Sequence, residues 1–507
     1  MSADQPSPKP SVPRPSPRGR IGIAGFVAAV LLLTAAATGL RIYNLGEPGL
    51  WNDEFYTVAD AIRLGEVRLD KMLGYVPTRV MLELADATHL RPTDENQRHL
   101  NASDWQDAGL TPFLLRLPTA IVGIVTIPLV AVFAWFALGP RLAIALAFLY
   151  TVCPWHIYWS QAARFYSLQV MFMSVALLAY WAGIRARSAK WQIVAGSAFA
   201  LSVLSQPNAV ILALVPCIDF ALTLVRRRPL RMPRTGMVAW AAAGVVTAGI
   251  IGYGIQSDRE AWSQFVAAQE PSGLIGAIKL PIGVVYIMTP VLMLAAVVGA
   301  IQLGRRNLRL NVYLSACALV PALGYSAWAL GNNVGLRYLY VALFGLLALA
   351  AVGLARTAGT FLRSRRPMMA LVPYAILLAG IAPLLASYYT TGYGFHPRWA
   401  DAYNDLVRER LPGERVAGTH PIVGSFYLRE PVELMPADAA TFDAQGETII
   451  AAVESDMLRP WMAERAERLS VRDIRALEPD AEVQILRLHP RPVEPAITLQ
   501  PDDPDPQ

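Results

Sequence analysis

Apolar residues fall in long blocks along the first three quarters of the chain, separated by short polar connections. A helix needs about 20 largely apolar residues to cross a bilayer. Backbone groups in lipid must be satisfied within their own segment, so each block predicts a transmembrane helix. Period-two alternation is missing from the blocks, which argues against an outer-membrane barrel. Eleven spans are expected, over 21–40, 115–138, 141–155, 166–184, 192–206, 208–225, 236–255, 281–303, 311–330, 335–355 and 368–388. The third is short, and only Gln206–Pro207–Asn208 separates the fifth from the sixth.

Basic residues orient these spans. Connections after every second span hold Arg141; Arg185, Arg187 and Lys190; Arg226, Arg227, Arg228, Arg231 and Arg234; Arg305, Arg306 and Arg309; and Arg356, Arg363, Arg365 and Arg366. The alternate connections are mixed, as in Asp258, Arg259, Glu260, Glu270 and Lys279. Positive charge collects on the cytoplasmic side, so the N-terminus is placed inside. Residues 1–20 then form a disordered cytoplasmic tail. The apolar run that follows exceeds the roughly 15 residues of a signal-peptide core and is read as a retained span.

Two parts lie outside the lipid. A first outer loop, 41–114, carries an amphipathic stretch, Lys71–Leu84, suited to the interface. Beyond the transmembrane domain (21–389), residues 390–488 read as a small α/β domain. Helical periodicity covers Pro397–Leu411 and Met457–Leu469, and short apolar runs stand at Arg415–Gly418, Thr448–Val453 and Glu482–Leu488. The Pro- and Asp-rich tail, 489–507, is expected to be disordered.

Composition agrees with a polytopic, mainly α-helical membrane protein. Hydrophobic residues make up 54% of the chain and charged ones 16%, against about 25% charged in soluble domains. The net charge of +6 lies between spans, so it reads as topology and not as a nucleic-acid surface. Cys153, Cys217 and Cys317 are isolated in apolar segments and read as packing residues. Walker A, dinucleotide-binding and zinc-protease signatures are missing, so no nucleotide cofactor is implied, and a divalent cation is left open.

Ionisable groups at the ends of spans are costly and therefore informative. Leu50–Trp51–Asn52–Asp53–Glu54–Phe55–Tyr56 sets two adjacent carboxylates among aromatics just past the first span. An apolar setting and mutual repulsion raise the basicity of such a pair, which suits a general base; an interfacial aromatic belt with two solvated acids is the plainer alternative. Trp155–His156–Ile157–Tyr158–Trp159–Ser160–Gln161–Ala162–Ala163–Arg164–Phe165–Tyr166 ends the third span. On a helix, Ser160, Arg164 and Ser167 would share a face, with Arg164 either snorkelling or holding an anion. His156, lacking a partner at ligand spacing, reads as a hydrogen-bonding residue and not a metal ligand. Arg337, with Tyr338, opens a late span on the side where cations are disfavoured, which invites a lipid phosphate beside a helix N-terminus; pairing with an ordinary lipid headgroup is the plainer alternative. Ser257–Asp258–Arg259–Glu260, with Trp262, reads as a solvated loop.

The acidic stretch after the first span resembles the L-W-x-D-E-x-Y element of GT-C glycosyltransferases of the family 39 kind, which includes protein O-mannosyltransferases and aminoarabinose transferases. Three further stretches match in order: Leu114–Leu115–Arg116–Leu117–Pro118–Thr119–Ala120, Ser160–Gln161–Ala162–Ala163–Arg164–Phe165–Tyr166 and Arg337–Tyr338–Leu339. The resemblance covers roughly residues 20–400. It departs at Pro77–Thr78–Arg79 and at Ser205–Gln206–Pro207–Asn208, where the family often has other turns.

The resemblance implies a GT-C fold and an inverting transfer of sugar from a polyprenyl-phosphate donor to a hydroxyl of a lipid, glycan or protein. It implies Asp53 as the catalytic acid residue with Glu54 beside it, and Arg164 and Arg337 as phosphate contacts. Trp51, Tyr56, Ser160, Gln161, Tyr166 and Tyr338 complete the expected substrate-binding set. Placement in a bacterial inner membrane, with the site facing the periplasm among membrane lipids, follows. The alternative of another class is a multi-span lipid or sugar transporter or flippase, which would place its charges near the midplane in repeated halves. An oligosaccharide ligase or oligosaccharyltransferase ranks lower, because no W-W-D-type run appears.

Overall fold

Proline and glycine set where the long helices begin and end. Pro112, Pro140, Pro154 and Pro290 occupy the first turns of Pro112–Leu138, Pro140–Val152, Pro154–Ser160 and Pro290–Gly304. A missing N–H costs nothing there. Gly139, at φ 95°, ends one helix and turns directly into the next, a conformation that only glycine adopts without strain. The side chains of Thr111 and Asn307 accept from the backbone N–H of Leu114 (3.4 Å) and Leu310 (3.1 Å), capping two helix starts.

The computed structural model describes residues 22–47, 49–62, 64, 72–87, 111–226, 232–257, 273–332, 334–363, 367–390, 399–428, 430–436, 438–454, 457–472 and 483–491. Among them, 8 single helices are long and apolar enough to cross a membrane, or up to 10 if each of two bent pairs is one span. The protein is therefore a multi-pass membrane protein, with three revisions to the expected eleven spans. The span read over 281–303 is not one straight rod: Gly273–Met288 and Pro290–Gly304 meet at 99°. Thr289 sits at φ 63° between them and Pro290 cannot donate across the break. The helix expected over 192–206 forms as Ala189–Ser205, only 17 residues long. The third span also bends, by 61°, where Pro154 follows Cys153.

Tyr166–Ala186 and the segment Leu336–Arg363 form the centre of the bundle, buried over 94% and 89% of their apolar windows. Close backbone approach seats one of them. A Cβ on Gly299 would lie 1.9 Å from the Leu349 carbonyl oxygen, and one on Gly353 would lie 2.2 Å from that of Ala295. Small residues allow this contact between membrane helices.

Among the described residues, two helices lie between the first span and Pro112. Asn52–Ile62 comes directly after that span, and Met72–Ala87 follows near the predicted amphipathic stretch. The C-terminal domain carries a five-stranded sheet: β1 (Arg415–Gly418), β2 (Glu433–Leu434), β3 (Ile449–Glu454), β4 (Ala466–Arg472) and β5 (Val483–Leu488), in the order β2-β1-β3-β5-β4. β1 pairs in parallel with β2 and β3, and β5 runs antiparallel to β3 and β4. The helix read over Met457–Leu469 is a correction. Only Pro460–Arg465 is helical; from Ala466 the chain pairs with β5, Ala466 opposite Leu488, and cross-strand packing overrides local preference. Trp399 and Tyr403 of the helix Trp399–Glu409 are buried in the same core as the transmembrane helices.

Candidate active site

The site grows from the first turn of Asn52–Ile62. Glu54 accepts from the backbone N–H of Trp51 (3.3 Å), closing the turn as a capping carboxylate does. Its main partner is Arg116, in the helix Pro112–Leu138. The two side chains, both 0% exposed, form a forked pair of 2.8 and 2.6 Å. Arg116 also donates to the carbonyls of Leu45 (3.3 Å) and Gly49 (2.9 Å), and the backbone N–H of Ala163 donates to Glu54 (2.7 Å). One buried ion pair thus ties the segment after the first span, the second span and the loop after Ser160 together.

Asp53 is rotated away from this pair by one helical residue. Its Oδ2 accepts from Arg337 at 2.8 Å and lies 3.4 Å from Arg164. Arg164 further donates to the Asp53 carbonyl (2.5 Å) and to Thr57 Oγ1 (2.7 Å). Side-chain exposures of 19% for Asp53, 11% for Arg164 and 38% for Arg337 place the cluster at a boundary, neither sealed nor fully solvated. The Arg164 guanidinium sits 4.6 Å from the Phe165 ring centre and that of Arg337 6.0 Å from Tyr338. Two guanidinium groups so placed share one carboxylate.

Other expected residues take different places. Residues 161–165 leave the helix, so the predicted face of Ser160, Arg164 and Ser167 does not form. Ser160 donates to the His156 carbonyl (2.5 Å) and accepts from Arg41 (3.3 Å). The Gln161 amide donates to the carbonyls of Arg41 (3.1 Å) and Tyr43 (2.9 Å), and its oxygen accepts from Tyr388 (2.6 Å). Both residues are buried and hold the end of the first span. Tyr166 is buried against Trp159, with ring centres 4.2 Å apart. Trp51 is half-buried beside the cluster, and Tyr56, 51% exposed, faces outward. His156 is fully buried, its Nδ1 2.8 Å from the Tyr340 hydroxyl. Ser257 ends a helix, and the rest of the fourth candidate, Asp258–Glu260 with Trp262, lies outside the described residues.

Sequence reasoning passed over three participants. Arg41, fully buried, donates to the carbonyls of Tyr150 (2.9 Å) and Thr151 (3.3 Å) and so caps the bend at Cys153. Arg116 stood inside a matched motif without a role. Thr57 was recoverable from its spacing, one turn after Asp53. The C-terminal domain reaches the site through Tyr427, whose hydroxyl donates to the Leu50 carbonyl (3.0 Å). Burial pushes that hydroxyl above its ordinary range, which keeps it a donor. Among the described residues, no three His, Cys, Asp or Glu are grouped to hold a metal ion.

Comparison with solved structures bears on the fold. ArnT from Cupriavidus metallidurans, in the apo state, superposes with a TM-score of 0.52 at 16% identity, over 91% of this chain and 98% of that one. The chain has the GT-C fold. The archaeal oligosaccharyltransferase AglB from Archaeoglobus fulgidus, in complex with an inhibitory peptide and a dolichol-phosphate, matches with a TM-score of 0.50 at 14% identity, over 84% of this chain and 69% of that one. The family described as dolichyl-phosphate-mannose-protein mannosyltransferase matches residues 108–251. No curated protein matched the chain significantly. The GT-C resemblance read from the ordered motifs is borne out by the family match and by the fold.

Proposed function

We propose that the protein is an inverting glycosyltransferase that moves a sugar from a polyprenyl-phosphate carrier to an acceptor hydroxyl. The observation that carries this reading is the meeting of Asp53 with Arg164 and Arg337, drawn from three distant segments to one boundary of the bundle. The dolichol-phosphate in AglB and the mannosyltransferase family match support a lipid-linked donor.

In the proposed reaction the acceptor oxygen attacks the anomeric carbon from the face opposite the phosphate. The bond from that carbon to the phosphate oxygen breaks, and its electron pair leaves with the polyprenyl phosphate. Asp53 takes the acceptor proton as general base. Arg164 and Arg337 turn from the carboxylate to the phosphate, neutralising the leaving group and releasing Asp53 for its proton. Glu54 touches neither reactant in this scheme; with Arg116 it sets the orientation of the turn that carries Asp53. The positive-inside pattern supports a site on the extracytoplasmic face of a bacterial plasma membrane.

The deciding experiment compares cell-envelope lipids and glycans of a deletion strain by mass spectrometry. A sugar modification should vanish, return with the wild-type protein and stay absent with Asp53→Asn. Full restoration by Asp53→Asn would remove Asp53 as the base.

A further inference from the structure

Helices that carry the Asp53 cluster at one end carry a second charged recess at the other. The cluster lies at the start of Pro112–Leu138 and just before Tyr166–Ala186. A cavity of about 350 Å³ lies where those helices finish, beside the start of Leu308–Trp328. It is lined by Arg185, Arg309 and Arg356, with Trp181, Leu142 and Leu303 forming apolar wall.

The charges in this recess do not balance. Asp219 engages Arg309 through a forked pair of 2.8 and 2.7 Å, and accepts from Tyr180 (2.9 Å). Arg185 donates to the Ala137 carbonyl (2.7 Å) and Arg356 to that of Gln302 (2.6 Å). Among the described residues neither has a carboxylate partner. Two cations held by neutral carbonyls around a cavity keep donors for an anion, and the guanidinium fork fits phosphate oxygens.

We propose that this recess binds the phosphodiester head of an anionic phospholipid. The head would lie between Arg185 and Arg356, with the glycerol and first methylenes against Trp181, Leu142 and Leu303. A lipid suits the site because the recess lies where apolar helices end, and because most of its lining residues are apolar. The inference stands apart from the transfer reaction, whose residues lie at the opposite end of the same helices.

The test uses the full-length protein, delipidated in detergent, with phosphatidylglycerol, phosphatidylcholine or inorganic phosphate, and bound lipid counted by native mass spectrometry. Phosphatidylglycerol should be retained over phosphatidylcholine. Charge removal in Arg185→Gln/Arg356→Gln should weaken it roughly 30-fold, about 2 kcal/mol for two basic groups near an anionic surface. Equal retention of the two lipids by the wild type would overturn the proposal, whether or not the variant folds. Unchanged selectivity in the folded double variant would overturn it as well. Displacement of the lipid by inorganic phosphate at equal concentration would assign the recess to a soluble phosphate ester instead.

Discussion

Asp53 and Glu54 are neighbours in sequence with opposite surroundings, and substitution should separate them. Glu54 is fully buried and paired with a fully buried Arg116. Removing one partner of such a pair leaves an uncompensated charge and costs about 3–5 kcal/mol. Glu54→Ala should therefore lower stability by that amount, because Ala163 N–H also loses its acceptor. Glu54→Gln keeps an acceptor of the same shape and should fall toward the lower end. Arg116→Ala alone should cost as much as Glu54→Ala. The double variant should cost less than the two singles together, with about 1–3 kcal/mol of coupling for groups in direct contact. Asp53→Asn weakens pairs with Arg337, 38% exposed, and Arg164, 11% exposed, and should cost less than breaking the fully sealed Glu54 pair. The assay is unfolding of the purified protein followed by tryptophan fluorescence, with sugar transfer measured in parallel. A Glu54→Gln protein of normal stability and no activity would move Glu54 into the chemistry and refute the division of roles.

Three further outcomes follow from the same geometry. Arg337→Ala should weaken binding of a polyprenyl-phosphate donor roughly 10- to 150-fold, from about 1.5–3 kcal/mol for a charge-assisted hydrogen bond; unchanged donor affinity with intact folding would take Arg337 out of the site. Gly353→Val should prevent assembly of the bundle, since even a Cβ would meet the Ala295 carbonyl oxygen at 2.2 Å, and monodisperse protein at wild-type yield would contradict that packing. In the C-terminal domain, the hydrogen bond from Arg465 holds the Asp443 carboxyl below its ordinary range. A depressed folded value means that this contribution is complete above the unfolded value, near 3.9, and is lost as pH falls through the lower folded one. Acid titration of the Asp443→Asn protein should show a smaller loss of stability below about pH 4, and an unchanged acid limb would discount the pair.

Span positions were legible because hydropathy is a local property: Tyr166–Ala186 and Pro112–Leu138 stand within a few residues of their expected limits. The break at Thr289 was not, because a long apolar run looks alike whether the backbone continues or turns, and the deciding feature is a single positive φ. In the C-terminal domain, residues 466–472 took strand form from a partner, Val483–Leu488, that local periodicity does not report.

Chemistry at the site was legible by residue type, since an acid among aromatics and an arginine on the disfavoured side are both costly and so conspicuous. Assignment between adjacent acids was not. Consecutive residues on a helix point about 100° apart, and sequence alone does not say which direction meets cations from elsewhere. That was decided by Arg116, 62 positions from Glu54, and by Arg337, 284 positions from Asp53. The carboxylate that met a sealed arginine became part of the frame, and the other met two arginines that are not sealed. In the proposed reaction the tandem of acids divides into one positioning group and one reactive group, and the helical rotation between them keeps their environments distinct.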